Sequence, residues 1–493
     1  MVISNAKLFL DGILLGWLSE GGRPLVDGPT LATMKPSRRW GTRIGGAAGR
    51  SAGVLPLRLG SGSELQALEV CWMRTILACL AVVVMCGVAG AEVSAFTCDA
   101  KGKGERLEAG TAFVEGKAGW DLGTVPKVEG KSCVSEGALF FSENVKEGNY
   151  RVTVVLGGDR AAVTTVKAEA RRLMVEKVAT AAGKTATVSF VVNVRVPEIA
   201  GTGKQVKLKP REVGNLDWDQ KLTLEFNGER PSVRSIAIER VENLPVVYLA
   251  GDSTVVDQDV EPWAAWGQML PRFFDDRVVI ANHAESGETT KSFVGELRLA
   301  KIMSQIKAGD YLLIQFAHND QKPPAGITLE IYKAMLKDYV AQARAKGAMP
   351  VLVTSMHRRT FDADGKITNS LLGYPGAMRE VAAEEKVALI DLNAMSKTLW
   401  EAMGPELSKK AFMHYAAGSF PQQDKAIDDD THFNSYGAYE LARCVVNGLR
   451  GLPPGKYLRE DVAVFDPAKP DAVFTLPITP LREMGNVMKV PQS

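Results

Sequence analysis

Histidine and cysteine are scarce in this sequence, with five and six residues among 493. Neither type recurs at a spacing that suits a metal, so no metal and no cofactor are expected. Six cysteines over this length also exclude a fold held mainly by disulfides. An excess of one charge is missing too: the formal net charge is +2, which leaves no electrostatic footprint for nucleic acid. The apolar run Ile76–Val88 has only 13 residues, against the roughly 20 that a spanning helix needs. What is present, 46% hydrophobic and 24% charged residues, is the composition of a globular protein with room for two or three domains.

From Met73 the chain reads MRTILACLAVVVMCGVAGAEVS. One arginine, the apolar run and then Ala89-Gly90-Ala91 form the pattern of a secretory signal peptide over 73–91. The Gly- and Arg-rich stretch 1–72 has no sustained periodicity. It reads as the product of an upstream start codon, or else as a disordered extension. Residues 1–91 hold nine Lys/Arg and five Asp/Glu, so the remainder carries 50 basic and 52 acidic residues. The expected location is secreted or periplasmic, with no membrane association after cleavage. Cys86 follows a bulky Met85, which does not suit a lipid-anchor site. An exported compartment permits disulfides. Cys98 and Cys133 are the expected pair, while Cys444, in an apolar helical stretch, reads as a buried free thiol.

Residues 92–243 read as all-β. Runs such as 150–156, 187–194 and 222–226 alternate or are β-branched, and Gly and Asn separate them. This predicts a β-sandwich; the stretch 168–178 fits either a helix or a strand. After Pro245 the pattern changes. Strand-like runs at 246–250, 277–282, 310–317, 350–355 and 387–391 alternate with helical stretches at 328–346 and 376–386. That alternation predicts an α/β region over 244–451, a three-layer, doubly wound parallel sheet. In such sheets the working residues lie just past the carboxyl ends of the strands. Ser253, Asn282–Gly287 and His318-Asn319-Asp320 each follow one of the first three strands. The proline-rich tail, 452–493, is expected to run along the surface without a regular element.

A serine nucleophile needs a base, and the base needs an orienting group. His432 lies three residues after Asp429, so a local turn can bring the carboxylate to imidazole Nδ1 and leave Nε2 for the serine. Gly251-Asp252-Ser253, the glycine of NHAESGET, Asn319 in FAHND and Asp429-x-x-His432 occur in the order of the four blocks of the SGNH, or GDSL-type, hydrolases. The sequence resembles that family over about 245–450, and within it the rhamnogalacturonan acetylesterases most closely. Two departures stand out: Ala317 replaces the usual glycine before His318, and the second block reads Ser286-Gly287-Glu288. The resemblance implies a flavodoxin-like fold with Ser253 as nucleophile, His432 as base and Asp429 as its partner. It implies an oxyanion hole from the backbone N–H groups of Ser253 and Gly287 and the side chain of Asn319. It further implies an esterase that removes acetyl groups from a cell-wall polysaccharide, pectic rhamnogalacturonan first. The β region resembles galactose-binding-like modules.

Other readings stand beside these. Asp252-Ser253-Thr254 also suits a helix cap, and Asn319-Asp320 an ordinary turn. His283 and His357 read as structural. His318 either lines the cleft or orients Asn319, and His414 either frames a groove or packs. Asp428 and Asp430 read as solvated. Trp263 and Trp266 suit the core of a first helix or a pocket wall, and Trp120 and Trp218 suit core packing or a sugar platform. The alternative functions are an esterase for acetylated xylan or sugar acetates, and a non-catalytic carbohydrate-binding protein.

Overall fold

The computed structural model describes residues 93–480, apart from Gln422. The expected extension and signal peptide at 1–91 lie outside the described residues, as does the end of the tail. Residues 93–241 form two large sheets and a two-stranded ribbon, Glu198–Ile199 with Lys204–Gln205. In one large sheet, Gly148–Gly158 lies between Lys184–Val194 and Ser232–Val241, antiparallel to both, and Val93–Thr97 extends it. In the other, Lys221–Glu229 lies between Leu139–Asn144 and Ala162–Ala168. Side chains alternate across a strand. Tyr150, Val152, Val154 and Leu156 therefore face inward together and meet Phe141, Leu222, Leu224 and Phe226 of the second sheet in one core. Cys98 and Cys133 are joined, as expected.

The ambiguous stretch at 168–178 is a strand, Arg172–Thr180, preceded by a tight turn. Glu169 and Arg171 in that turn adopt φ of 53° and 63°. This left-handed conformation breaks any helix and is costly for residues other than glycine. Hydrogen bonds hold the turn in place. Arg171 donates to the carbonyls of Gln258 (3.0 Å) and Trp263 (2.9 Å), and Gln268 donates to the carbonyl of Ala170 (2.9 Å).

Beyond Pro245 five parallel strands form one sheet. Val246–Gly251 is flanked by Val279–Asn282 and Tyr311–Gln315, and then come Met349–Val353 and Ala388–Ile390. Both faces are covered. Val247, Leu249, Leu313, Val351 and Val353 point into one core with helices Leu392–Leu407 and Ser435–Leu449. Their neighbours Val246, Tyr248, Leu312, Ile314 and Leu352 point into the other, against helices Leu329–Ala345 and Tyr374–Glu384. Near-continuous apolar strands are what a parallel sheet buried on both sides requires. Strand order reverses at Val246–Gly251, which opens a crevice at its carboxyl end.

The β region and the α/β region share buried charge. Arg172 donates to Asp257 (2.6 Å), to Asp217 (2.8 Å) and to the carbonyl of Asn193 (2.6 Å), and all three charged side chains are buried. The tail departs from expectation. It contains a short 3-10 turn, Pro453–Tyr457, and it does not stay on the surface: Thr479 is buried and accepts from Lys167 at 2.6 Å. Among the described residues no helix is long and apolar enough to cross a membrane.

Removing one partner of a buried ion pair strands the others without counter-charge, at a cost of about 3–5 kcal/mol. Arg172→Met should therefore lower the urea midpoint and Tm clearly. An unchanged melting curve would mean that this cluster carries no net stability.

Candidate active site

Ser253 sits in the turn that follows the Val246–Gly251 strand. The carbonyl of Asp252 accepts from Val255 N (2.9 Å) and Val256 N (3.1 Å), closing the turn tightly. Glycine at 251 is a steric requirement: a Cβ there would lie 2.5 Å from Val255 Cγ2 and 3.0 Å from the carbonyl of Gln315. No helix begins here, so the capping alternative for Asp252-Ser253-Thr254 is set aside. Instead Asp252 accepts from Thr254 N (3.0 Å) and Oγ1 (2.7 Å), Thr254 accepts from Gln315 (2.7 Å), and Gln315 accepts from Trp266 Nε1 (2.8 Å). This interior chain of bonds locks the turn to the neighbouring strand.

His432 is on Ile427–Phe433, which pairs antiparallel with Phe412–Tyr415. Phe433 anchors that end by packing on Phe412 and Trp400, with ring centroids at 4.8 and 5.8 Å. Asn434 then caps the helix Ser435–Leu449. Asp429 Oδ2 lies 2.7 Å from His432 Nδ1, and Asp429 Oδ1 accepts from Thr431 N (2.7 Å) and His432 N (3.1 Å). His432 Nε2 lies 2.9 Å from Ser253 Oγ. Burial works to raise the Asp429 carboxyl, but the bond from His432 and the charge beside it prevail and hold it down at about 2. The carboxylate therefore stays ionised beside the imidazole. Ser253, His432 and Asp429 are thus brought together, in the arrangement that lets a hydroxyl lose its proton as it attacks a carbonyl.

Gly287 and Asn319 lie on the loops after the two strands that flank the first. Gly287 has φ of 83°, which favours glycine. Asn319 Nδ2 donates to the carbonyl of Glu288 (3.0 Å), and Lys322 Nζ donates to Asn319 Oδ1 (2.9 Å). Asp320 accepts from Thr290 N (2.9 Å) and Oγ1 (2.6 Å). The second and third blocks are therefore tied to each other, and the amide of Asn319 has a fixed orientation.

Of the other residues singled out in the sequence, His318, Asp428 and Asp430 fall differently from the reading and the rest in line with it. The ring of His318 is in the interior, with Nδ1 3.5 Å from Asp252 Oδ2, so it neither lines a cleft nor bonds Asn319. Burial pushes it toward the neutral form. His414 bridges Asp428 (2.7 Å) and Asp430 (2.8 Å), and Asp430 also pairs with Arg359 (2.6 Å), so the two carboxylates are not merely solvated. His283 packs against Trp218 and Tyr248, and the His357 carbonyl accepts from Trp400 Nε1, both structural uses. Trp120 and Trp218 are core residues; Trp218 Nε1 donates to Glu212. Trp266 is buried as well. Arg358, not singled out in the sequence, donates to Thr431 Oγ1 (3.2 Å) and to the carbonyl of His318 (3.1 Å), linking the third and fourth blocks. No local signal marks it, since its partners lie 73 and 40 residues away. Lys322, three residues after Asn319, is likewise not singled out in the sequence. Among the described residues no group of three or more His, Cys, Asp or Glu could hold a metal ion.

The model of the GDSL-like Lipase/Acylhydrolase family matches residues 249–439. Rhamnogalacturonan acetylesterase RhgT of Bacillus subtilis (strain 168) is 46% identical over 211 residues, covering 42% of this chain and 91% of that protein. The chain belongs to the GDSL-like lipase/acylhydrolase family. Probable rhamnogalacturonan acetylesterase YesY of the same strain is 37% identical over 214 residues, 42% of this chain and 94% of its own. Uncharacterized esterase YxiM, also from that strain, is 31% identical over 229 residues, 44% of this chain and 56% of its own. As a GDSL-like acylhydrolase with acetylesterase relatives, the chain is a carboxylic ester hydrolase.

The low value at Asp429 has a sign that can be checked. An unfolded aspartate titrates near pH 4, so the depressed native value stabilises the fold above that pH, and this contribution disappears as pH falls through about 2. The Tm gap between wild type and Asp429→Asn should be steady above about pH 4 and narrow between about pH 4 and pH 2. A gap that is constant across that window would refute the assignment.

Proposed function

We propose that Ser253, His432 and Asp429 form a catalytic triad that removes O-acetyl groups from plant cell-wall polysaccharide, with pectic rhamnogalacturonan as substrate. The observation that carries this reading is the 2.9 Å approach of Ser253 Oγ to His432 Nε2, with Asp429 on the far nitrogen. His432 accepts the hydroxyl proton as Ser253 attacks the acetyl carbonyl. Negative charge on the tetrahedral oxygen is met by the N–H groups of Ser253 and Gly287 and by Nδ2 of Asn319, each of such donors being worth about 3–4 kcal/mol. The imidazolium then protonates the sugar oxygen as its bond to the carbonyl carbon breaks, and the sugar leaves with a free hydroxyl, the acetyl group remaining on Ser253. Water, activated by the same imidazole, releases acetate and restores the serine.

The choice of sugar is supported by the names of the relatives, two of which specify rhamnogalacturonan. Acetylated xylan or a sugar acetate is the second reading. A serine, histidine and aspartate in bonding contact argue against a non-catalytic binding protein. We further read the two large sheets of 93–241 as a β-sandwich of the galactose-binding-like kind, and the protein as secreted or periplasmic. The Cys98–Cys133 bridge supports export, because such bonds persist in oxidising compartments.

Ser253→Ala should fold with an unchanged Tm and lose acetate release by about ten-thousand-fold or more. Retained activity would refute the triad. Across a panel of acetylated polysaccharides, the wild type should release acetate fastest from rhamnogalacturonan; a preference for acetylxylan would favour the second reading.

A further inference from the structure

The segment 206–218 of the β region reaches the second block, and two cations on it converge on a single carbonyl. Lys209 Nζ donates to the carbonyl of Ser286 at 2.7 Å, and Arg211 NH2 donates to the same oxygen. Each cation is also paired on the α/β side: Lys209 with the carboxylate of Glu288, and Arg211 Nε with Glu285 at 2.8 Å. The segment itself is fixed. Glu212 receives Arg298 NH1 (3.0 Å) and Lys209 N (2.8 Å), and Lys207 N donates to the carbonyl of Glu296 (2.9 Å).

The carbonyl of Ser286 and the N–H of Gly287 belong to one peptide unit. In a planar trans peptide the two point in opposite directions. Two cationic donors that grip the oxygen therefore set the plane of the unit and aim the N–H away from themselves. They also polarise it, because a carbonyl that accepts strong bonds makes its own N–H a better donor. Glu288 completes the link to Asn319, whose Nδ2 donates to the Glu288 carbonyl.

We propose that Lys209 and Arg211 are positioning residues that orient and polarise the Ser286–Gly287 peptide, so that the β region takes part in building the oxyanion hole. The proposal rests on the reading of Gly287 N–H as an oxyanion donor. It also gives the β region a role in chemistry on every ester, including ones too small to touch it. A role confined to polymer binding would leave small esters unaffected.

The test is hydrolysis of 4-nitrophenyl acetate by Lys209→Met, Arg211→Met and the double variant, with active sites counted by phosphonate titration. The side chains of Lys209 and Arg211 are 20% and 27% exposed, so the single variants keep most of their packing. The double variant should lose about tenfold or more in kcat per titrated site, with KM within about twofold, since removing a whole oxyanion donor costs about a hundredfold or more. Affinity for phenylboronic acid, whose serine adduct mimics the tetrahedral state, should fall in step with kcat. Lys209→Arg and Arg211→Lys should recover most of it. Should the double variant not fold, the single variants carry the same readouts. A kcat per site within twofold of wild type, or boronate affinity unchanged while kcat falls, overturns the proposal and leaves the triad standing. An active Ser253→Ala overturns the triad reading instead.

Discussion

The contact between Ser253 Oγ and His432 Nε2 joins residues 179 positions apart in the chain, and most of what surrounds it serves to hold its two ends. At one end a strand buried on both faces stops at a glycine that no larger residue can replace, and the turn is pinned from below through Asp252, Thr254 and Gln315. At the other end Phe433, packed into the core beside His432, fixes a short hairpin between two helices. A hydroxyl and an imidazole act together only within hydrogen-bond reach. Misplacing either support by an ångström would part them.

Buried charge marks the contact between the β and α/β regions, beside apolar side chains such as Leu173 and Val191. Arg171, Arg172, Lys167, Asp257 and Glu261 are buried or nearly so and answer one another across it. Desolvating such groups is expensive, and their attraction offsets that cost only when the geometry is right. An interface of this kind adds little stability that an oily one would not give. It does fix orientation: a shift of one residue along the Arg172–Thr180 strand would leave Arg172 facing no carboxylate. The same fixed orientation is what allows a loop of the β region to grip the Ser286–Gly287 peptide.

Much of this was legible in the sequence, and what was not has a common cause. The five parallel strands and the helices Leu329–Ala345 and Tyr374–Glu384 fall within a few residues of where apolar periodicity places them, because periodicity records local burial. Ser253, His432 and Asp429 could be named because the short blocks that carry them resemble a known family in order and spacing; the turn and the three-residue offset alone left other readings open. Arg358, Lys209 and Arg211 could not, since each acts on residues tens of positions away. The stretch 168–178 stayed ambiguous for the same reason. Its run of alanines, arginines and a leucine suits a helix, and the left-handed turn that ends that option is held by remote partners, Thr223 at Glu169 and the carbonyls of Gln258 and Trp263 at Arg171. The carboxylates at 428 and 430 read as solvated because their partner, His414, is on another strand.

The buried Thr479 bears on the order in which the fold is completed. Its bonds reach back 312 residues to Lys167 and 254 to Glu225. Contacts so remote in sequence pay their loop-closure entropy last. During synthesis the β region emerges long before residue 479 exists, so for that interval Lys167 has Glu225 and then Glu261, and Glu225 has Lys167 and Asn227, without the tail. The tail thus acts as a late latch, closing over charges that the earlier-made parts of the chain cannot fully satisfy alone.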